Sequence, residues 1–139
     1  MGRGAKIVAT KRVTRGNNYT SNRVVKGGAI QCSTRSFSKV QEEAVAKEVG
    51  GTRQPNSGAT PFAKGDVKSE QFLIECKTRT KSSDSISIKK EWIEKLVGES
   101  LFEGKENWSL AFNFGPNEPN YYIIDGHLFD LLTEKLMED

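Results

Sequence analysis

The segment FLIECKT, residues 72–78, constrains the fold more than any other part of this 139-residue chain. Three apolar residues open it, and a carboxylate, a thiol and an ammonium group then follow in a row. Because side chains alternate along a strand, Glu75 and Lys77 share the face of Leu73. We therefore predict a core strand that brings two opposite charges out together at its end.

A second carboxylate is expected beside this strand end. Asp66 opens the preceding extended run, and a turn near residues 68–71 would fold the two runs into a hairpin that sets Asp66 alongside Glu75. Carboxylate oxygens are suitable ligands for a hard divalent cation. Such a cation polarises a phosphate and lowers the pKa of a bound water, and Lys77 could orient that water or offset the charge on phosphorus. Asp66, Glu75 and Lys77 are therefore candidate catalytic residues of a phosphodiesterase site.

The remaining pattern predicts an α/β fold, a small mixed sheet flanked by helices. One helix is expected over residues 38–49, with Ser38 as its N-cap and Gly50-Gly51 as its stop, and a second over residues 88–102, capped by Ser87. Strands are expected over residues 108–114 and 121–124. A last helix, over residues 126–137, has an apolar stripe that should face the core, consisting of Leu128, Leu131, Leu132 and Leu136.

The first helix supplies a third acidic candidate. Glu42 precedes Val45 and Val49 by three and seven residues, so helical spacing places its side chain on the apolar face, toward the sheet edge. The neighbouring Glu43 falls on the solvated side. Glu42 is therefore the acid expected to join the site.

These residues resemble a known family. Glu42, the run Gly65-Asp66-Val67 and the run Ile74-Glu75-Cys76-Lys77 are similar to the motifs of the PD-(D/E)XK nuclease superfamily, which has a restriction-endonuclease-like core. Within it the arrangement most resembles archaeal-type Holliday junction resolvases and their phage relatives, over residues 38–97. The family also has a Ser-Gly loop before the aspartate, which Ser57-Gly58 matches here. This chain departs from the pattern in having Gly65 in place of the name-giving proline, and seven residues, 59–65, between that loop and Asp66.

The resemblance implies a role for each motif residue. Asp66 and Glu75, together with the main-chain carbonyl of Cys76, would bind Mg²⁺, for which Mn²⁺ could substitute. Glu42 would complete the metal site. Lys77 would be the catalytic lysine.

The net charge of +3 hides a strongly basic N-terminal segment. Residues 1–41 contain nine Lys and Arg and no Asp or Glu, whereas the rest of the chain contains twelve Lys and Arg and eighteen Asp and Glu. We therefore expect a basic arm, residues 1–36, in front of a nuclease domain, residues 37–139; the arm would attract a polyanion such as DNA or act only as a solubilising tail. The candidate DNA contacts are Arg12, Arg15, Arg53, Lys64, Arg79 and Lys81, and the resemblance adds Ser57, which it would place near the scissile phosphate.

The expected function is that of a metal-dependent DNA endonuclease. The resemblance implies that it acts as a homodimer on Holliday junctions or other branched DNA. A nicking or restriction-type duplex endonuclease and a non-catalytic DNA-binding accessory protein stay open as alternatives. No nucleotide cofactor is expected, because a Walker-type phosphate loop is absent. With no run of 18 apolar residues, no secretory signal and two cysteines, we expect no membrane association and a cytoplasmic location, in the host if a phage encodes the protein.

Overall fold

The computed structural model describes residues 34–55 and 64–138. The described part has three helices, namely α1 (Thr34–Val49), α2 (Lys90–Phe102) and α3 (Gly126–Glu138), and five strands, namely β1 (Thr52–Arg53), β2 (Val67–Lys68), β3 (Phe72–Lys77), β4 (Asn107–Phe112) and β5 (Tyr121–Ile123). The expected basic arm lies outside the described residues except for residues 34–36, which belong to the first turn of α1.

The five strands form one mixed sheet in the order β1-β2-β3-β4-β5. β3 and β4 are parallel, with Leu73 opposite Trp108 and Lys77 opposite Phe112, and all other neighbouring strands are antiparallel. A parallel pair needs a long crossover connection, which here contains α2. The expected α/β fold with a small mixed sheet and flanking helices is confirmed.

Two apolar clusters lie on opposite faces of the sheet, and the alternation of β3 divides them. Ile74 belongs to the cluster that α1 covers, and Leu73 belongs to the cluster that α2 covers. Both side chains are at most 1% exposed. The predicted alternation is therefore confirmed, and it places Glu75 and Lys77 on the α2 side of the sheet.

Both predicted N-caps are wrong. α1 already includes Thr34, and the Ser38 hydroxyl donates to the Thr34 carbonyl oxygen at 3.1 Å, so this serine bonds back along the helix instead of capping it. α2 starts only after Lys89, whose backbone is extended and whose side chain makes no capping hydrogen bond. Ser87 lies in the loop before that residue.

The predicted stop of α1 is confirmed. Gly50 has φ +65°, the left-handed conformation that favours glycine, and the Gly51 N–H donates to the Ala46 carbonyl oxygen at 2.8 Å. This bond satisfies one of the last carbonyl groups of the helix. The chain then turns directly into β1, so α1 is anchored at the edge of the sheet.

The core stripe predicted for α3 is wrong. Leu131 and Leu132 are 48% exposed, Leu136 is 76% exposed, and α3 contains no buried residue. The predicted helix itself is confirmed. However, α1 and α2 already cover the two faces of the sheet, and neither apolar cluster includes a residue of α3. Neither α3 nor any other helix in residues 34–55 and 64–138 has the length and apolar character needed to cross a membrane.

Candidate active site

The hairpin of β2 and β3 brings Asp66 and Glu75 together. Val67 lies opposite Ile74, so the preceding residue, Asp66, falls beside Glu75. The Asp66 N–H donates to the Ile74 carbonyl oxygen at 2.9 Å, and the Cys76 N–H donates to Asp66 Oδ2 at 2.8 Å. The Asp66 carboxylate is therefore fixed on the backbone at the residue that follows Glu75.

Gly65 allows this close approach. Its φ is +66°, in the left-handed region that favours glycine, and a Cβ added to it would lie 2.4 Å from the Cδ1 of the buried Leu73. Proline would be incompatible with this backbone, because its ring fixes φ near −65°.

Glu75 and Lys77 form an ion pair on the α2 side of the sheet. The Lys77 Nζ lies 3.0 Å from Glu75 Oε1 and 4.7 Å from the centroid of the Trp92 ring. Burial raises the pKa of Glu75 and the charge of Asp66 raises it further, whereas Lys77 lowers it. The net direction is upward, so the surroundings of Glu75 disfavour its charged form.

Glu42 lies on α1, close enough to Asp66 for the two carboxyl groups to interact electrostatically. Its side chain is 10% exposed, and its Oε2 accepts a hydrogen bond from Arg53 Nε at 2.6 Å. Burial raises the pKa of Glu42, the hydrogen bond from Arg53 lowers it, and the charge of Asp66 raises it again. Glu43 is exposed and lies 3.8 Å from Lys39. The predicted orientations of Glu42 and Glu43 are confirmed.

The charge of Asp66 raises the pKa of both Glu42 and Glu75, so Asp66 interacts with each of the other two carboxyl groups. Within residues 34–55 and 64–138, no three Asp, Glu, His or Cys side chains converge closely enough to hold a metal ion. Mg²⁺, however, is commonly held by one or two carboxylates and keeps several waters. Asp66 and Glu75 fit such a site, since a divalent cation would offset the repulsion between them.

An open groove of about 190 Å³ lies beside the ion pair on the α2 side. Leu96 and Trp92 form its apolar part, and the remaining lining residues are charged, consisting of Glu75, Lys77, Lys95 and Glu99. Lys95 and Glu99 form an ion pair of their own at 3.6 Å. The candidate catalytic pair therefore faces a groove that solvent can enter.

Gln41, which no sequence motif singles out, also lies beside the site. This side chain is 4% exposed, donates to the Lys77 carbonyl oxygen at 3.3 Å and to Asn120 Oδ1 at 3.4 Å, and accepts from the Thr78 hydroxyl. Gln41, which directly precedes Glu42 on α1, therefore connects α1 to the end of β3. The signal was present in the helical spacing, because Gln41 precedes a buried valine by four residues.

The predicted DNA contacts differ in their exposure and in their bonding partners. Arg53 bonds to Glu42 inside the site. Lys64 and Arg79 are half-buried and Lys81 is exposed, and none of these three forms an ion pair with another described residue. Three further candidates lie outside the described residues, namely Arg12, Arg15 and Ser57.

Comparisons with known proteins identify no relative of this chain. It matches no protein family, no curated protein and no solved structure. The function must therefore be inferred from the chemistry of the site.

Proposed function

We propose that this protein is a metal-dependent endodeoxyribonuclease that hydrolyses phosphodiester bonds, with Holliday junctions and other branched DNA as its preferred substrates. The observation that carries the proposal is the gathering of Asp66, Glu75 and Lys77 at the end of one core strand, with Glu42 near enough to Asp66 to feel its charge. Carboxyl groups with raised pKa values, such as those of Glu42 and Glu75, are frequent at functional sites. A divalent cation and a phosphodiester substrate would use all of these charges.

Each residue has a distinct role in this proposal. Asp66 and Glu75 would hold Mg²⁺, or Mn²⁺ in its place, together with the main-chain carbonyl of Cys76. When bound, the cation polarises the scissile phosphate and lowers the pKa of a water. Lys77 orients the attacking water or offsets the charge that develops on phosphorus. Glu42 completes the outer part of the site.

The architecture supports the same assignment. We propose that the sheet is a restriction-endonuclease-like core, since a helix with Glu42, a hairpin with Asp66, and a Glu-X-Lys strand follow one another as in the resembling family. β3 is the central strand of the five and carries both Glu75 and Lys77. Groups on a central strand are held rigidly, as a catalytic site requires.

We further propose a homodimer, because two symmetric cuts in a four-way junction need two active sites. α3 supports this proposal, since it presents large apolar side chains that neither described apolar cluster includes, namely Phe129, Leu131, Leu132, Leu136 and Met137. A two-fold axis would set this surface against its own copy. The aromatic edge strand β5, with Tyr121 48% exposed, is the alternative interface.

Two more features belong to the proposal. The basic residues of the N-terminal arm, Arg12 and Arg15 among them, would bind phosphates, so the affinity for DNA should fall steeply as salt increases. The described thiol, Cys76, is free, which suits a reducing cytoplasm.

Cleavage of a synthetic four-way junction by wild type and Asp66→Asn tests the proposed activity. Wild type should cut the junction in Mg²⁺, stop in EDTA, and cut linear duplex of the same sequence far more slowly. Asp66→Asn should reduce the rate by at least about a hundredfold while junction binding persists, because a lost metal ligand removes catalysis and not phosphate contact. The matched control is Asp84→Asn, the same change at an exposed loop position.

Two results would redirect the proposal. Equal rates on junction and duplex would indicate the nicking or restriction-type nuclease. Binding to DNA with no cleavage in any divalent metal, unchanged in Asp66→Asn, would indicate the non-catalytic accessory protein.

A further inference from the structure

We infer that Trp92 is the positioning residue of Lys77, holding its ammonium group at the site by a cation–π contact. The inference rests on the proposed function, in which Lys77 acts on the attacking water or the phosphate. It assigns to the first turns of α2 a part in catalysis beyond packing.

Two contacts locate the Lys77 ammonium group. Its Nζ lies 3.0 Å from Glu75 Oε1 and 4.7 Å from the centroid of the Trp92 ring. A cation within about 6 Å of an aromatic centroid is attracted by the ring's negative face. The carboxylate and the ring together hold the end of a side chain that otherwise has many rotamers.

The ring is itself held in place. Trp92 lies one helical turn before Leu96, which is 1% exposed, and it packs against the apolar cluster of Leu73, Leu96 and Leu110. The rest of the ring borders the groove in which Glu75 and Lys77 lie. One side of the indole therefore belongs to the core, and the other is available to a cation.

A second ammonium group lies near the same ring. The Lys89 Nζ is 5.7 Å from the Trp92 centroid, but that side chain is 62% exposed and lies 3.9 Å from Glu91. The Lys77 side chain is only 27% exposed and lies closer to the ring. A cation–π contact strengthens as water is excluded, so the contact with Lys77 is the stronger one.

The catalytic test compares Trp92→Leu with Trp92→Phe in junction cleavage. Leucine keeps an apolar side chain but has no π face, so kcat should fall about tenfold with little change in KM, while phenylalanine should restore most of the rate. The matched control is Trp108→Leu. This change removes the other tryptophan that packs against the same cluster but leaves the contact between Lys77 and Trp92 in place. Each kcat is measured well below the variant's own Tm.

An activity-independent readout completes the test. In protein labelled with ¹³C-lysine, the εCH₂ signal of Lys77, assigned by its loss in Lys77→Arg, should be shifted upfield by the indole ring. The shift should disappear in Trp92→Leu and persist in Trp108→Leu and Lys89→Met.

An unshifted Lys77 signal, or equal losses of kcat in Trp92→Leu and Trp108→Leu, would overturn the inference. Failure of the proposed function looks different. If wild type cleaves no DNA while the Lys77 signal is shifted and depends on Trp92, then the nuclease assignment and the catalytic role both fall, and the contact between the two side chains is established.

Discussion

The negative charge of Glu75 lowers the free energy of unfolding. Burial and the charge of Asp66 raise its pKa above the ordinary value, and the pairing with Lys77 does not reverse that direction. Between the unfolded and folded pKa values, the folded protein binds more protons than the unfolded chain. Stability therefore decreases as pH rises through that interval, and the loss persists at neutral pH.

Glu75→Gln should consequently stabilise the metal-free protein. The amide has nearly the same shape and no charge, so the variant should have a higher Tm than wild type at pH 7 in EDTA. The gain should vanish below about pH 4, where the carboxyl group of Glu75 is protonated in both states. Thermal unfolding across this pH range checks the prediction, with the exposed loop change Glu118→Gln as a control that should show no such gain. A Glu75→Gln protein less stable than wild type at pH 7 would contradict it.

The sequence predicted the residues of the site better than their partners. Helical spacing separated Glu42 from Glu43, and strand alternation put Glu75 with Lys77, because both patterns are properties of a single element. The bond from Arg53 to Glu42 joins two different elements. No local sequence pattern indicates this bond, and the sequence alone therefore predicts Arg53 only as a candidate DNA contact.

At the level of elements, α3 departs most from expectation. Its N-terminus is well formed, because the Leu128 N–H donates to Asp125 Oδ1 at 2.7 Å, as at an N-cap. Its apolar side nevertheless lies outside both described apolar clusters. A short helix gains most of its stability from packing, so α3 should be stabilised by a second copy of the chain.

Leu132→Glu should therefore separate the proposed dimer. A charge at the centre of the α3 surface would be buried without a partner on association, and the dimer dissociation constant should rise at least about a hundredfold. Sedimentation velocity on the full chain measures the change. Val40→Glu is the matched control, since Val40 on α1 is 42% exposed and Leu132 is 48% exposed. A wild-type protein that sediments as a monomer at every concentration would contradict the homodimer.

Element boundaries were predicted less well than element types. Gly50 stopped α1 as expected, since positive φ at a helix C-terminus is a strong local preference of glycine. Ser38 and Ser87 were wrong as caps, because serine hydroxyls bond equally well within a helix or in a loop. Whether a serine caps a helix or lies within it or in a loop depends on where the helix starts to pack against the sheet.

For the whole molecule, the hairpin followed from the sequence more readily than the distribution of the core. Alternation in residues 72–77 and the turn before them predicted a core strand paired with the preceding strand, and the antiparallel pairing of β2 and β3 confirms this. The exposure of α3 could not be inferred, because it depends on α1 and α2 already covering both faces of the sheet. The polar contacts of Gln41 likewise join segments far apart in the chain.

We propose above that Asp66 and Glu75 share one divalent cation. Calorimetric titration of the metal-free protein with Mn²⁺ is the most direct test of this shared site. Wild type should bind at one saturable site, Asp66→Asn should lose that site, and Lys77→Met should keep it, because Lys77 contributes charge and no ligand. The absence of binding by wild type, or equal binding by wild type and Asp66→Asn, would contradict the claim.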